Sequence, residues 1–152
     1  MIDPPTLAPE VLLAVPRCEF LYEAIAEIGP MVPLGMFPRG ERRIIDILGG
    51  RFEGPGLSGV ILPGGADRQW VRRDGVTELD ALYEMRTHDG VILSVNNRVT
   101  IDTAAGTRLS KIAIEAPEGG YAWLNRLVVV GTLTPLGPAR PGVLIRAFKL
   151  VG

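Results

Sequence analysis

Three ionisable side chains stand where a chain rich in short apolar runs could do proton chemistry: Asp67, Glu53 and Arg86. Asp67 follows the turn Pro63-Gly64-Gly65-Ala66, whose glycines let the backbone approach a neighbour closely. A carboxylate there either binds its own turn amides or acts as a general base toward a ligand. Glu53, held between glycines in "GGRFEGPG", is either a surface turn residue or an acid facing a cavity. Arg86 shares a strand face with Leu82 and Glu84, where it forms a cross-strand ion pair or forks onto a substrate carboxylate or enolate oxygen. Gln69, Tyr83, Asn97, Tyr121, Trp123 and Asn125 are the polar and aromatic groups expected to hold a substrate beside them, with Leu82 as an apolar contact. Asn96 and Asn97 occupy opposite faces of one strand, so only one can point inward, and Asn97 is taken as that one.

Several other chemistries are excluded. No serine sits in a nucleophile-elbow context, and "GGRFEGPG" is followed by neither Lys-Ser/Thr nor a helix, so it is no phosphate loop. One cysteine and one histidine preclude an intrachain disulfide and a zinc cluster, and no metal or cofactor is expected. Cys18 reads as a small buried strand residue. A net charge of −1 gives no field to attract nucleic acid or a membrane surface. The doublets Arg42–Arg43 and Arg72–Arg73 could each bind one anionic group and no more. His88 and Asp89 read as turn residues, as does Asp74.

The elements that must position these groups are strands. The 19 glycines and 13 prolines interrupt the 152 residues too often for long helices. Strands are expected over 17–28, 42–48, 57–62, 69–73, 77–87, 91–101, 109–115, 121–132 and 143–150. The run "FLYEAIAEIG" has helix-favouring residues, but its alternation reads as strand. Asp89-Gly90 joins 77–87 to 91–101 in a hairpin. In 121–129, Tyr121, Trp123 and Asn125 share one strand face with Leu127 and Val129, as either a pocket wall or an aromatic girdle at the sheet end. The fold class is therefore all-β, a single closed antiparallel barrel of about 8–10 strands with an internal cavity. It occupies 17–152, after an extended N-terminal arm at 1–16. No stretch has the length of a membrane span or a signal sequence, so a soluble, cytoplasmic protein is expected.

The ordered motifs "GGRFEGPGLSG", "PGGADRQ", "DGVTELDALYEMRTHDG" and "YAWLNR" resemble domain-of-unknown-function family 3237, also called UPF 0311, over roughly residues 17–150. The resemblance implies a closed, lipocalin-like β-barrel with a cavity and implies little about reaction type. Arg68 and Leu82 depart from the family pattern, which has Trp and Arg at those places. Were the family's arginine to face the cavity, Leu82 would make this pocket more apolar.

Together these readings predict a cofactor-free isomerase, lyase or cyclase that moves a proton on a small, apolar or partly aromatic ligand. Asp67 or Glu53 would be the base, with Arg86 and Asn125 holding the developing oxyanion. The alternative is a non-catalytic carrier of such ligands. A homodimer is also expected, because open strand edges or an apolar barrel exterior need cover.

Overall fold

A computed structural model describes residues 15–152 and resolves them into nine strands and one short 3-10 helix. The strands are β1 (Arg17–Phe37), β2 (Gly40–Gly54), β3 (Leu57–Ile61), β4 (Gly65–Val71), β5 (Val76–Thr87), β6 (Ile92–Asp102), β7 (Thr107–Glu115), β8 (Val129–Pro135) and β9 (Gly142–Val151). Every pairing is antiparallel, and the order β1-β9-β8-β7-β6-β5-β3-β2 is closed by a β1–β2 pairing. The sheet is thus a barrel with no free edge around its circumference. The strands follow a simple meander except at one place. β3 and β4 share the position between β2 and β5: β3 pairs with Gly50–Gly54 of β2, and β4 with Glu41–Ile47. Nine strands therefore make eight staves, a number whose interior side chains can nearly fill.

Alternation does most of the work. In β5 the inward set Leu79, Tyr83, Met85 and Thr87 is buried, while Leu82, Glu84 and Arg86 face outward. In β6, Leu93, Val95, Asn97 and Val99 are buried in the same way. Full burial of each large apolar side chain contributes about 1.5–3 kcal/mol. The β5–β6 hairpin turns at Gly90, whose φ of 90° suits a residue without Cβ. Gly50 permits closure itself. Its φ is +143°, and a Cβ there would lie 2.0 Å from the Ile25 carbonyl oxygen of β1. Register shifts beside Glu27 and Ile28 then bend β1, whose far half pairs with β2 alone to form an arm rising from the barrel.

One end of the barrel is plugged. The helix Ala122–Arg126 inserts Leu124, 1% exposed, into a core that includes Tyr22, Phe52, Met85 and Leu93. Residues 121–127 are therefore not the first half of a strand, and the alternating face expected for Tyr121, Trp123 and Asn125 does not exist. The Tyr121 hydroxyl donates to Asp89 Oδ1 (2.8 Å), as does Thr87 Oγ1 (2.6 Å), which latches the plug to the β5–β6 turn. Asn125 holds β7 from the other side, accepting from the Ala116 amide (2.7 Å) and donating to its carbonyl (2.9 Å). Cys18 is exposed rather than buried, because β1 reaches the core only from Leu21 onward. Of the expected arm at 1–16, residues 1–14 lie outside the described residues. Among the described residues no helix is long and apolar enough to cross a membrane.

Candidate functional site

The plug closes one end of the barrel, and the interior beyond it forms a cavity of about 380 Å³. That size lies at the lower end of the ~300–1,000 Å³ range of small-molecule sites. Its depth is marked by Tyr83 and Ile47, and its mouth by Thr77, Ile101, Arg108 and the β8–β9 connection around Gly137. A larger hollow of about 1,000 Å³ lies on the outer face between Trp70, Arg98 and Phe148. Four of its five charged lining residues are engaged in the exposed pairs Arg39–Glu78 and Arg98–Asp80, leaving Lys111, so the interior cavity is the stronger candidate.

Strand register brings the polar groups of the interior together. Asp67 on β4 pairs with Ala81 on β5, and Ala81 pairs with Asn97 on β6. The small side chain of Ala81 leaves a gap flanked by a carboxylate and an amide. Tyr83 is the next inward residue along β5. Gly65 makes room for it: a Cβ at 65 would sit 2.5 Å from the Tyr83 Cβ. Gln69, the next inward residue on β4, donates from Nε2 to Asp67 Oδ2 (2.7 Å).

Among the described residues, three further polar atoms of this wall have no protein partner. Asp67 Oδ1, the Tyr83 hydroxyl and Asn97 Oδ1, all on residues lining the cavity, are shielded from solvent without a hydrogen bond. Orphaned buried polar atoms each cost about 1–3 kcal/mol, so a cluster of them on one cavity wall marks a place where something else binds. Burial pushes the Asp67 carboxyl above its ordinary range, opposed by the Gln69 hydrogen bond, the nearby Asp80 backbone amide and the charge of Arg43 and reinforced by the charge of Asp80. Burial likewise raises the Tyr83 hydroxyl, opposed by the neighbouring Asn97 amide and reinforced by the charge of Asp67. Asn97 thus lies near Tyr83, but no bond of normal geometry joins them, and the hydroxyl stays free to donate. The site unites a basic carboxylate with one free neutral donor, the Tyr83 hydroxyl, and one free acceptor, Asn97 Oδ1, groups that can take a proton from a bound ligand and hold the oxygen left charged.

Of the sequence candidates, Asp67, Gln69, Tyr83 and Asn97 line this cavity. Asp67 bonds Gln69 rather than its own turn amides, since it lies inside β4 and not in the turn. The other candidates lie elsewhere. Arg86, between buried Met85 and Thr87, is exposed on the outer face, and Glu53 is outward beside buried Phe52. Leu82 is 58% exposed, so its departure from the family pattern alters the barrel's surface and not its pocket. Tyr121 and Asn125 serve the plug at the opposite end, and Trp123 is exposed there. Of the cavity's charged residues, Arg108 is not singled out by the sequence, and Arg43 only as half of a doublet. Arg108 is only the second residue of its strand, just before the run 109–115 in which the alternation is legible. Among the described residues no three His, Cys, Asp or Glu side chains converge as a metal site.

A family model described as "Protein of unknown function (DUF3237)" matches residues 16–150, and the chain belongs to that family. A UPF0311 protein of Rhodopseudomonas palustris is 42% identical over 79 residues, 52% of each chain. The matched region thus spans about half the length of that curated relative. A solved structure of a conserved protein of unknown function from the same species covers 90% of this chain and 99% of its own, at 29% identity and a TM-score of 0.81. A β-barrel-like protein of Acinetobacter baumannii covers 99% of this chain and 100% of its own, at 28% identity and TM-score 0.79. A protein described as an enzyme from Penicillium herquei, 21% identical, covers 99% of this chain and 100% of its own with TM-score 0.73, a likeness of fold.

Proposed function

We propose that the protein is a cofactor-free enzyme that moves a proton on a small, partly aromatic or apolar metabolite held in the barrel: an isomerase, lyase or cyclase. One observation carries this reading. Asp67 is a shielded carboxylate with one oxygen anchored by Gln69 and the other unpartnered, beside equally unpartnered groups on Tyr83 and Asn97. In the proposed reaction Asp67 Oδ1 takes a proton from carbon or oxygen of the ligand. The Tyr83 hydroxyl donates to the oxygen on which negative charge develops, Asn97 Oδ1 accepts from a ligand O–H or N–H, and the proton then returns at another position. The raised Asp67 carboxyl suits a base that must also give its proton back. The surrounding wall of Ile45, Leu79, Val99 and Leu133 excludes water and strengthens each of these interactions.

The test is deuterium uptake at the α-carbon of an enolisable bicyclic ketone, 2-tetralone, followed by NMR in D2O. The wild-type protein is expected to accelerate exchange, and Asp67→Asn to fall to the background rate while still binding the ketone. Equal exchange by both proteins refutes Asp67 as the base. Binding without acceleration by either protein favours a carrier.

A further inference from the structure

Resting on the cavity reading above, we infer that the natural substrate carries an anionic group, a carboxylate or an ionised phenol, seated at the mouth between Arg43 and Arg108. These two guanidinium groups are the cations that line the cavity. They stand on β2 and β7, four staves apart in a barrel of eight, and so on opposite walls. Arg43 pairs in register with Gln69, one inward row above Asp67. Arg108 lies two inward rows above the row of Asp67, Ala81, Asn97 and Ile112, about 13 Å of strand toward the mouth. A bicyclic skeleton seated over Ala81 covers part of that height, and the long arginine side chains can cover the rest.

Among the described residues neither arginine has a counterion. The ion pairs among the described residues use Arg39, Arg72, Arg98, Arg146 and Lys149 as their cations. Arg43 Nε is in addition shielded from solvent with no acceptor. Asp67 is the acid that lines the cavity, and its anchored oxygen belongs to Gln69. A shielded, unpartnered guanidinium N–H on a cavity-lining residue is a donor waiting for an anion from outside the chain. A bound anion also offsets the pull of Arg43 on Asp67, leaving the carboxylate a stronger base once the substrate is seated.

The experiment compares two fluorescent probes with one ring system, 1-anilinonaphthalene-8-sulfonate and its uncharged counterpart N-phenyl-1-naphthylamine. Cavity binding is defined as the part lost in Ala81→Phe, which fills the gap between Asp67 and Asn97. The anionic probe is expected to bind more tightly than the neutral one. Arg43→Gln and Arg108→Gln should each weaken it by about tenfold or more, and leave the neutral probe within about twofold. Arg43→Lys should restore much of the loss. Unchanged affinity for the anionic probe, or equal losses for both probes, overturns the inference while leaving the proposed function standing. If neither probe enters the cavity, both fall together.

Discussion

Replacing Asp67 by Asn should make the protein more stable at neutral pH, by an amount that depends on pH. In the folded chain burial raises the carboxyl, so ionising it costs more there than in the unfolded chain. Its contribution is therefore fully favourable below the unfolded value of about 3.9 and is lost as pH rises through the higher folded value. At pH 8 the shielded Oδ1 carries charge without a donor, a cost of about 2 kcal/mol. Asparagine has nearly the same shape and still accepts from Gln69, but a neutral bond replaces a charge-assisted one and returns about 1 kcal/mol of that gain. The net is about 1 kcal/mol, or about 2–4 °C in Tm for a chain of this length. Thermal unfolding followed by circular dichroism at pH 8 and pH 4 reads it directly. Asp67→Asn should melt higher at pH 8, and the gap should shrink toward pH 4. A variant less stable at pH 8, or a gap that ignores pH, would show that the carboxylate is a structural element of the barrel.

The plug and the surface give three further expectations. Leu124→Ala removes a side chain that is 1% exposed and should destabilise by about 2–5 kcal/mol in urea unfolding, since the barrel end cannot collapse around the gap. Tyr121→Phe cuts the bond to Asp89 and should cost about 0.5–1.5 kcal/mol, with faster amide exchange around the β5–β6 turn and no change in probe binding at the distant cavity. Leu82→Arg installs the residue of the family pattern at an outward position; it should change stability by no more than about 0.5 kcal/mol and leave N-phenyl-1-naphthylamine affinity unaltered.

Alternation was the informative signal in this sequence, and its limits explain what was misplaced. Given Tyr83 inward on β5, the two-residue period already sends Leu82, Glu84 and Arg86 outward, as found. The same period puts Glu53 opposite Phe52. It also brings Asp67 and Gln69 to one face of β4, and Asn97 to the inner face of β6. What period cannot supply is register. That Asp67 and Asn97 flank Ala81 depends on the β4–β5 and β5–β6 offsets, which only the assembled sheet defines. The segment 121–127 failed for another reason. A five-residue 3-10 turn with one buried leucine has too few residues to distinguish its period from that of a strand, and its anchors, Asp89 and the Ala116 backbone, are remote in sequence. The importance of Arg43 was half visible in the Arg42–Arg43 doublet. Arg42 stacks outside over Trp70, 4.4 Å from its ring, while Arg43 turns into the cavity.

The most direct test of Asp67 as a poised base is the ionisation of its own side chain. Carbon-13 NMR titration of the aspartate carboxyls, assigned by comparison with Asp67→Asn, should show Asp67 ionising above the ordinary value of about 3.9 and responding when N-phenyl-1-naphthylamine fills the cavity. An Asp67 that titrates at or below that value and ignores the probe would contradict the assignment of the cavity wall as the site of proton transfer.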